Sequence, residues 1–268
     1  MGNWTQTGSS IIFLPFTLEQ ALAGLADAGF ENVEIGAVKG FLEHLDPDAL
    51  GPAEIANCQS LLDRYGLTCV SMSGHAPLHL EIGRERLTNV LRAGRELGIQ
   101  VLNTFTGDAS TPAEVDAFKE NLRAVADEAA ASGIRVCIET DSNLLPTAAI
   151  GAQILAELDH PGIGINYDPG NVIYYTGAVP EEDIELALPH LGHVHLKDQR
   201  GGKGKADFPP LGDGDVDIPR ILRTLAAADF TGPVSMEIEF TDYQWPDYGT
   251  TVAEAGRSKA YWDGLGII

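Results

Sequence analysis

Short apolar, β-branched runs alternate with longer stretches of helical periodicity along the whole chain. Residues 16–30 predict a helix that ends at Gly29, and VEIG (33–36) predicts a strand. The alternation continues with a helix over 47–65, a strand TCVSMS (68–73), a helix over 83–97 and a strand VLNTF (101–105). Thr111 and Pro112 supply an N-cap and a proline at the first helical position, so a helix runs from there to Ser132-Gly133, before the strand RVCIE (135–139). Helices near 146–158 and 180–188 precede the strands IGINYD (163–168) and GHVHL (192–196). A helix over 218–228 precedes GPVSMEIEF (232–240), a last helix covers 251–262, and a first strand within 2–7 completes eight β-then-α units.

Regular alternation with short connections implies parallel strands joined by right-handed helical crossovers. Eight such units in 268 residues fit a closed barrel. A doubly wound sheet is the competing arrangement, but its glycine-rich turn after the first strand, G-x-G-x-x-G, is absent. No linker, low-complexity tract or repeat divides the chain, which reads as one α/β domain over 1–268, a (β/α)8 TIM barrel.

Composition narrows the function. No apolar run approaches the roughly 18 residues of a membrane span, and no basic segment followed by an apolar one opens the chain, so neither a membrane role nor secretion is expected. Cys58, Cys69 and Cys137 lie in apolar contexts outside CxxC pairs, as suits reduced core thiols of a cytoplasmic protein. A net charge of −22 with no basic stripe to offset it argues against nucleic acid as a partner.

The candidate chemistry lies in the C-terminal half. Side chains alternate along a strand, so apolar neighbours decide which way the polar ones face. In GHVHLKDQ (192–199) Val194 and Leu196 face the helices, and His193, His195 and Lys197 point into the barrel. The same parity turns Cys137, Glu139 and Asp141 inward on the fifth strand, Asn166 and Asp168 on the sixth, and Glu237 and Glu239 on the eighth. Glu139, Asp168, His195 and Glu237 therefore converge at the C-terminal mouth, where such barrels place their chemistry. Clustered anions in a poorly solvated cavity are costly unless neutralised. One divalent cation is the expected solution: three carboxylates and a neutral imidazole point to Mn2+ first, with Co2+, Mg2+, Fe2+ or Zn2+ as alternatives. Ion pairing of these carboxylates with Lys197 and Arg200 is the competing account.

The segments AGFENVEIG, HAPL, CIETD, NYDPGN, HVHLKD and GPVSMEIE, in this order and spacing, resemble the sugar phosphate isomerase/epimerase superfamily. These are xylose-isomerase-like barrels that include ketose 3-epimerases, hydroxypyruvate isomerase and inosose dehydratase. The resemblance covers nearly the whole chain and implies metal ligands at Glu139, Asp168, His195 and Glu237, the four that parity selects. Two departures stand out. Some ketose epimerases carry a histidine three residues after the aspartate ligand, where this chain has Asn171. The apurinic endonucleases of the superfamily need further histidines for three zinc ions, and beyond His75 in SGHAPL this chain lacks most of them.

A cation that chelates an α-hydroxy carbonyl acidifies its α-proton. The resulting expectation is a metal-dependent sugar isomerase or epimerase, in which Glu139 and Glu237 transfer protons through a metal-bound enediolate of a keto-sugar. Loss of a β-substituent at the same site would make a lyase, a dehydratase or a keto-glycoside-cleaving enzyme. A non-catalytic sugar-binding barrel, or a subunit that needs a partner chain, is the reading from a different class. His75, Asn171, Lys197 and Arg200 are the expected substrate contacts, with Lys203 and Lys205 beside Arg200 in a glycine-rich loop that suits an anionic group. Glu34 either contacts substrate or pairs with Lys39. The aromatics at 174–175 and 243–248 wall the pocket or cover the interface of a homo-oligomer, a dimer or tetramer.

Overall fold

The computed structural model describes residues 2–141 and 144–267, and in it eight parallel strands form a closed ring. They are β1 (Thr5–Ser9), β2 (Asn32–Val38), β3 (Thr68–Ser73), β4 (Val101–Thr104), β5 (Arg135–Glu139), β6 (Ile163–Tyr167), β7 (Leu191–Lys197) and β8 (Pro233–Glu237). Each strand pairs with its sequence neighbours, and β1 joins both β2, through Ser9 opposite Glu34, and β8, through Thr5 opposite Pro233. The architecture is thus the expected (β/α)8 barrel.

The helices are α1 (Leu18–Asp27), α2 (Pro52–Tyr65), α3 (Glu81–Leu97), α4 (Pro112–Ala130), α5 (Ala148–Leu158), α6 (Pro169–Thr176), α7 (Pro180–Ala187), α8 (Ile218–Ala227) and α9 (Tyr248–Gly264). The caps fall where local chemistry puts them: Thr17 with Gln20, and Thr111 with Glu114, form reciprocal capping boxes at the starts of α1 and α4. Three elements differ from expectation. The first strand begins at Thr5 because pairing with Pro233 begins there. α2 starts at Pro52 rather than 47, because the Asp46 side chain folds residues 46–48 into a turn by accepting the Asp48 N–H, and Pro52 then sits at the first helical position. α6 is additional, nucleated by Asp168 as its N-cap.

The outward faces of the strands make the apolar core. Val33, Ile35, Met72, Val136, Ile138, Ile165, Val194, Leu196, Val234 and Met236 are fully shielded against helical residues such as Leu22, Leu62, Leu87, Leu122 and Leu222. Each side chain so buried contributes roughly 1.5–3 kcal/mol. Much of the barrel interior is polar instead: Thr7, Glu34, Ser71, Asn103, Asn166, His193 and Ser235 are all inaccessible to solvent. Between β6 and β7 the register slips, so that Ile165 faces Leu191 while Asn166 faces His193, with Gly192 as the extra residue. A Cβ at Gly192 would lie 2.5 Å from the Cys137 sulfur, so only glycine serves this bulge, and the bulge brings His193 level with Asn166.

Asp198 closes the end of β7. Fully buried, it accepts backbone N–H groups from Gln199, Gly212 and Gly214 at 2.9 Å and Val216 at 3.2 Å, so the loop 211–216 wraps around one carboxylate. No helix among the described residues is long and apolar enough to cross a membrane. The substitution Asp198→Ala leaves these donors without an acceptor and is expected to lower stability by about 2–4 kcal/mol. Urea unfolding checks this: the midpoint should fall with its slope unchanged, and an unchanged midpoint would contradict the role given to Asp198.

Candidate metal centre at the barrel mouth

The ends of β5 to β8 bring four side chains together. Glu139, Asp168, His195 and Glu237 each offer a ligand atom, and these atoms lie within 4.8 Å of one another. All four are buried. Parity along the strands selects the same set.

Each carboxylate is held by a neutral donor on one oxygen and turns the other toward a histidine or Lys197. Glu139 Oε1 accepts the Asn171 side-chain amide at 3.0 Å and lies 3.1 Å from His195 Nδ1. Its Oε2 lies 2.9 Å from His75 Nε2, in an orientation that gives neither atom a directed hydrogen bond. Asp168 Oδ1 accepts the Asn171 backbone N–H at 2.9 Å as the cap of α6, whereas Oδ2 makes no directed hydrogen bond and faces the Lys197 ammonium at 2.8 Å. Glu237 Oε1 accepts from Ser9 Oγ at 3.3 Å, and its Oε2 lies 3.5 Å from Lys197.

Burial and proximity perturb every member. Burial pushes the Asp168 carboxyl well above its usual range, and Lys197 only partly offsets it. Burial likewise raises Glu237 to about 7 against the pull of His195 and Lys197. For Glu139 burial acts upward too, but His195 and His75 prevail and hold it well below the usual carboxylate range. His195 is disfavoured as a cation by burial, yet Glu237, Glu34 and Glu139 together keep it protonated well above the ordinary imidazole range. In the bare chain an imidazolium and the Lys197 ammonium thus stand where a multivalent cation would do better.

Glu34 is the residue that sequence reasoning misplaced. It neither reaches the mouth nor pairs with Lys39, which binds Glu43 at 3.0 Å and Asp46 at 2.8 Å. Instead it sits mid-barrel, opposite Ser9 and Ser71, beneath the cluster. Its Oε2 accepts from Ser71 at 2.8 Å, Ser235 at 2.9 Å and Asn103 at 3.1 Å, and its Oε1 is 2.8 Å from His195 Nε2. Together with His193, Glu34 and His195 also have atoms close enough for a second ion, but these neutral donors already satisfy Glu34. The consequence concerns His195: a carboxylate on Nε2 fixes that nitrogen as the protonated one and leaves Nδ1 facing Glu139, the arrangement that orients a metal-bound imidazole.

The donor set fits a hard divalent cation. Three carboxylates and one imidazole meet at one point, and Glu139 Oε2 and Asp168 Oδ2 are buried without a directed hydrogen bond. Lys197 alone answers part of the charge, as the ion-pair account expected, but it spreads over Asp168, Glu237 and Glu239 at 2.8, 3.5 and 3.3 Å.

Above the cluster lies a cavity of about 430 Å³ whose lining includes His75, Asp141, Asn171, Lys197 and Glu239. His75 stacks on Phe105 with ring centroids 5.0 Å apart. Arg200 is not in the cavity wall: its Nε is bound to Asp207 at 2.8 Å and it lines a separate surface groove, so the expected substrate contact is absent. The glycine-rich loop beside it folds around the Gln199 amide, which donates to the carbonyls of Arg200, Gly202 and Lys205. Tyr175 and Tyr243 line the cavity, whereas Trp245 and Tyr248 pack elsewhere, the first donating to the Ile12 carbonyl at 3.0 Å and the second meeting Phe13 at a tilt and Phe16 edge-on.

A barrel with this mouth defines a class. The family model of xylose isomerase-like TIM barrels matches residues 22–258, and the chain belongs to that family. It is 26% identical over 257 residues to an L-ribulose 3-epimerase of Methylomonas sp. (strain DH-1), covering 88% of this chain and 80% of that one. It is also 26% identical over 181 residues to a 3-oxo-isoapionate decarboxylase of Pectobacterium atrosepticum, covering 65% and 61%. Among solved structures, the D-allulose 3-epimerase of Methylomonas sp. superposes with a TM-score of 0.78 at 21% identity, over 99% of both chains.

Two measurements probe the centre. Glu34→Gln should weaken Mn2+ binding by about 10–100-fold in calorimetric titration while circular dichroism stays unchanged, and unaltered affinity would remove Glu34 from the site. A cation must displace the proton that Glu237 holds up to about 7. Below that pH affinity should therefore drop by at least about tenfold per unit, and the protons that Asp168 and His195 hold above their ordinary ranges extend the rise beyond it; a flat profile between pH 5.5 and 8 would contradict the assignment.

Proposed function

We propose that the protein is a divalent-cation-dependent epimerase of a keto-sugar, with Glu139 and Glu237 as the acid/base pair. One observation carries this reading: the two carboxylates meet Asp168 and His195 at a single buried point, although they come from strands three apart in an eight-membered ring. They therefore reach a bound carbon from opposed sides. The similarity to an L-ribulose 3-epimerase supports the same assignment.

Glu139, Asp168, His195 and Glu237 would hold the cation, for which Mn2+ is our choice. When bound, it supplies Lewis acidity that makes a proton α to a carbonyl removable. The Glu139 carboxylate takes that proton from one face, and the electron pair of the broken C–H bond moves toward the carbonyl. Glu237, which would take up a proton from solvent on the oxygen not committed to the cation, then delivers it to the opposite face and the configuration inverts. The two glutamates exchange their gained and lost proton with solvent between turnovers. Asn171, through its amide on Oε1, and His75, beside Oε2, fix the Glu139 carboxylate. Lys197 faces the developing negative charge from the side of Asp168 and Glu239.

The similarity to a decarboxylase favours a second reading, in which the same enediolate forms by loss of carbon dioxide, the electron pair of the broken C–C bond moving toward the carbonyl before protonation, or, once formed by proton removal, expels a β-substituent. Proton NMR of a panel of ketoses in D2O, with Mn2+-loaded protein, separates the two. Epimerisation places one deuteron at the inverted carbon; a product lacking water or carbon dioxide identifies the lyase. Glu139→Gln and Glu237→Gln should each slow exchange by about 10²–10⁴-fold, and chelation by EDTA should abolish it until Mn2+ is restored. Undiminished exchange in both variants would sink the proposal.

A further inference from the structure

The cavity floor and its rim differ in character. Glu139 and Glu237 at the floor are each 3% exposed, whereas Phe41 and Tyr243, which line the same cavity, are 50% and 44% exposed. They are the two aromatics among the largely exposed hydrophobic side chains of the described residues, and both stand at this one opening. Phe105 and Tyr175 complete the aromatic wall.

Both exposed rings sit on braced backbone. Phe41 is at the tip of a hairpin in which Val38 pairs with Leu42, and Glu43 accepts the Gly40 N–H at 2.7 Å and the Lys39 ammonium at 3.0 Å. Tyr243 follows a two-residue strand that pairs Phe240 with Phe208, and Thr241 is tied to Asp207 at 2.7 Å. Phe240, Asp242 and Tyr243 all hold left-handed conformations, with φ of 60°, 50° and 54°. Such conformations cost non-glycine residues free energy, and they persist at sites that the surrounding structure holds in one shape. Two aromatic faces fixed toward water at a cavity mouth are a stacking surface, not a gap in the core.

The charges define what does not bind. Four lining carboxylates, Glu139, Asp141, Glu237 and Glu239, face two lining cations. Lys197 is engaged by Asp168, Glu237 and Glu239, and Lys39 by Glu43 and Asp46. Arg200 lies in another groove. A phosphate group would find no uncommitted cation among the described lining residues. The cavity of about 430 Å³ falls in the range of small-molecule pockets, roughly 300–1,000 Å³.

We infer that the mouth holds a second subsite, walled by Phe41 and Tyr243, for a ring carried by the keto-sugar, so that the substrate is an unphosphorylated keto-glycoside. This rests on the proton-transfer reading of the floor. The test uses Mn2+-loaded protein and three probes that share one α-hydroxy ketone: the 3-keto derivatives of methyl and phenyl β-D-glucopyranoside, and the 6-phosphate of the methyl compound. Calorimetry should show the phenyl glycoside binding at least tenfold more tightly than the methyl one and the phosphate more weakly than either. Phe41→Ala and Tyr243→Ala should reduce the phenyl preference to about twofold or less. Equal binding of the two glycosides, no binding of the phenyl compound, or a preference unchanged in both variants overturns the subsite. Deuterium exchange at C2 of the methyl compound is scored separately: exchange without a size preference refutes the subsite alone, and a size preference without exchange refutes the proton-transfer reading alone.

Discussion

Crowding of negative charge inside the barrel mouth is the constraint on which the rest of this structure turns. Glu34, Glu139, Asp168, Glu237 and Glu239 are all buried, and His195 and Lys197 are the buried cations that meet them. Removing one partner from such a network typically costs about 3–5 kcal/mol, because it strands a charge away from water. The polar interior follows from this. Ser71, Asn103 and Ser235 sit on three different strands, and each donates to the one carboxylate of Glu34. A hydrophobic residue at any of them would remove a donor from a buried anion.

Asp168 shows how local and long-range demands are met by one motif. Asp168, Pro169, Gly170 and Asn171 open α6 with a cap, a proline at the first helical position, a glycine and an amide. A Cβ at Gly170 would lie 3.2 Å from Lys197 Cγ, so glycine lets the lysine approach Asp168. The Asn171 backbone holds one oxygen of Asp168, while its side chain holds Glu139. The helix N-terminus favours the anion it caps. Secondary structure, the ion pair and the positioning of two candidate ligands are thus secured within four residues.

The strand-borne half of this design is legible in sequence because the side-chain period of a strand is two. Val194 and Leu196 fix the direction of His195, and the same logic fixes Glu139, Asp168 and Glu237. Parity gives direction but not depth. Glu34 points inward as Val33 and Ile35 require, yet its level in the barrel depends on β2 continuing to Val38 and on the register shift against β3 between Val33 and Glu34, and neither is marked in the local sequence. The loops were opaque for a different reason. Arg200 reads as a free cation beside the site until its partner Asp207, seven residues on, is found by folding. Phe41 carries no periodic signal at all, since a hairpin tip belongs to neither face of a strand.

That asymmetry bears on how function is divided over the fold. The four candidate ligands stand at the ends of β5 to β8, where a shift of one residue would turn them out of the barrel, so their spacing is tied to the sheet itself. Phe41, Phe105 and Tyr243 follow β2, β4 and β8 on connecting segments and Tyr175 lies on the short helix α6 after β6, and these segments can change without disturbing a pairing within the eight-stranded ring. A barrel built this way can keep one proton-transfer floor while its rim accommodates different molecules. Identity at about a quarter of the positions therefore carries the family and its barrel more surely than the identity of whatever the rim admits.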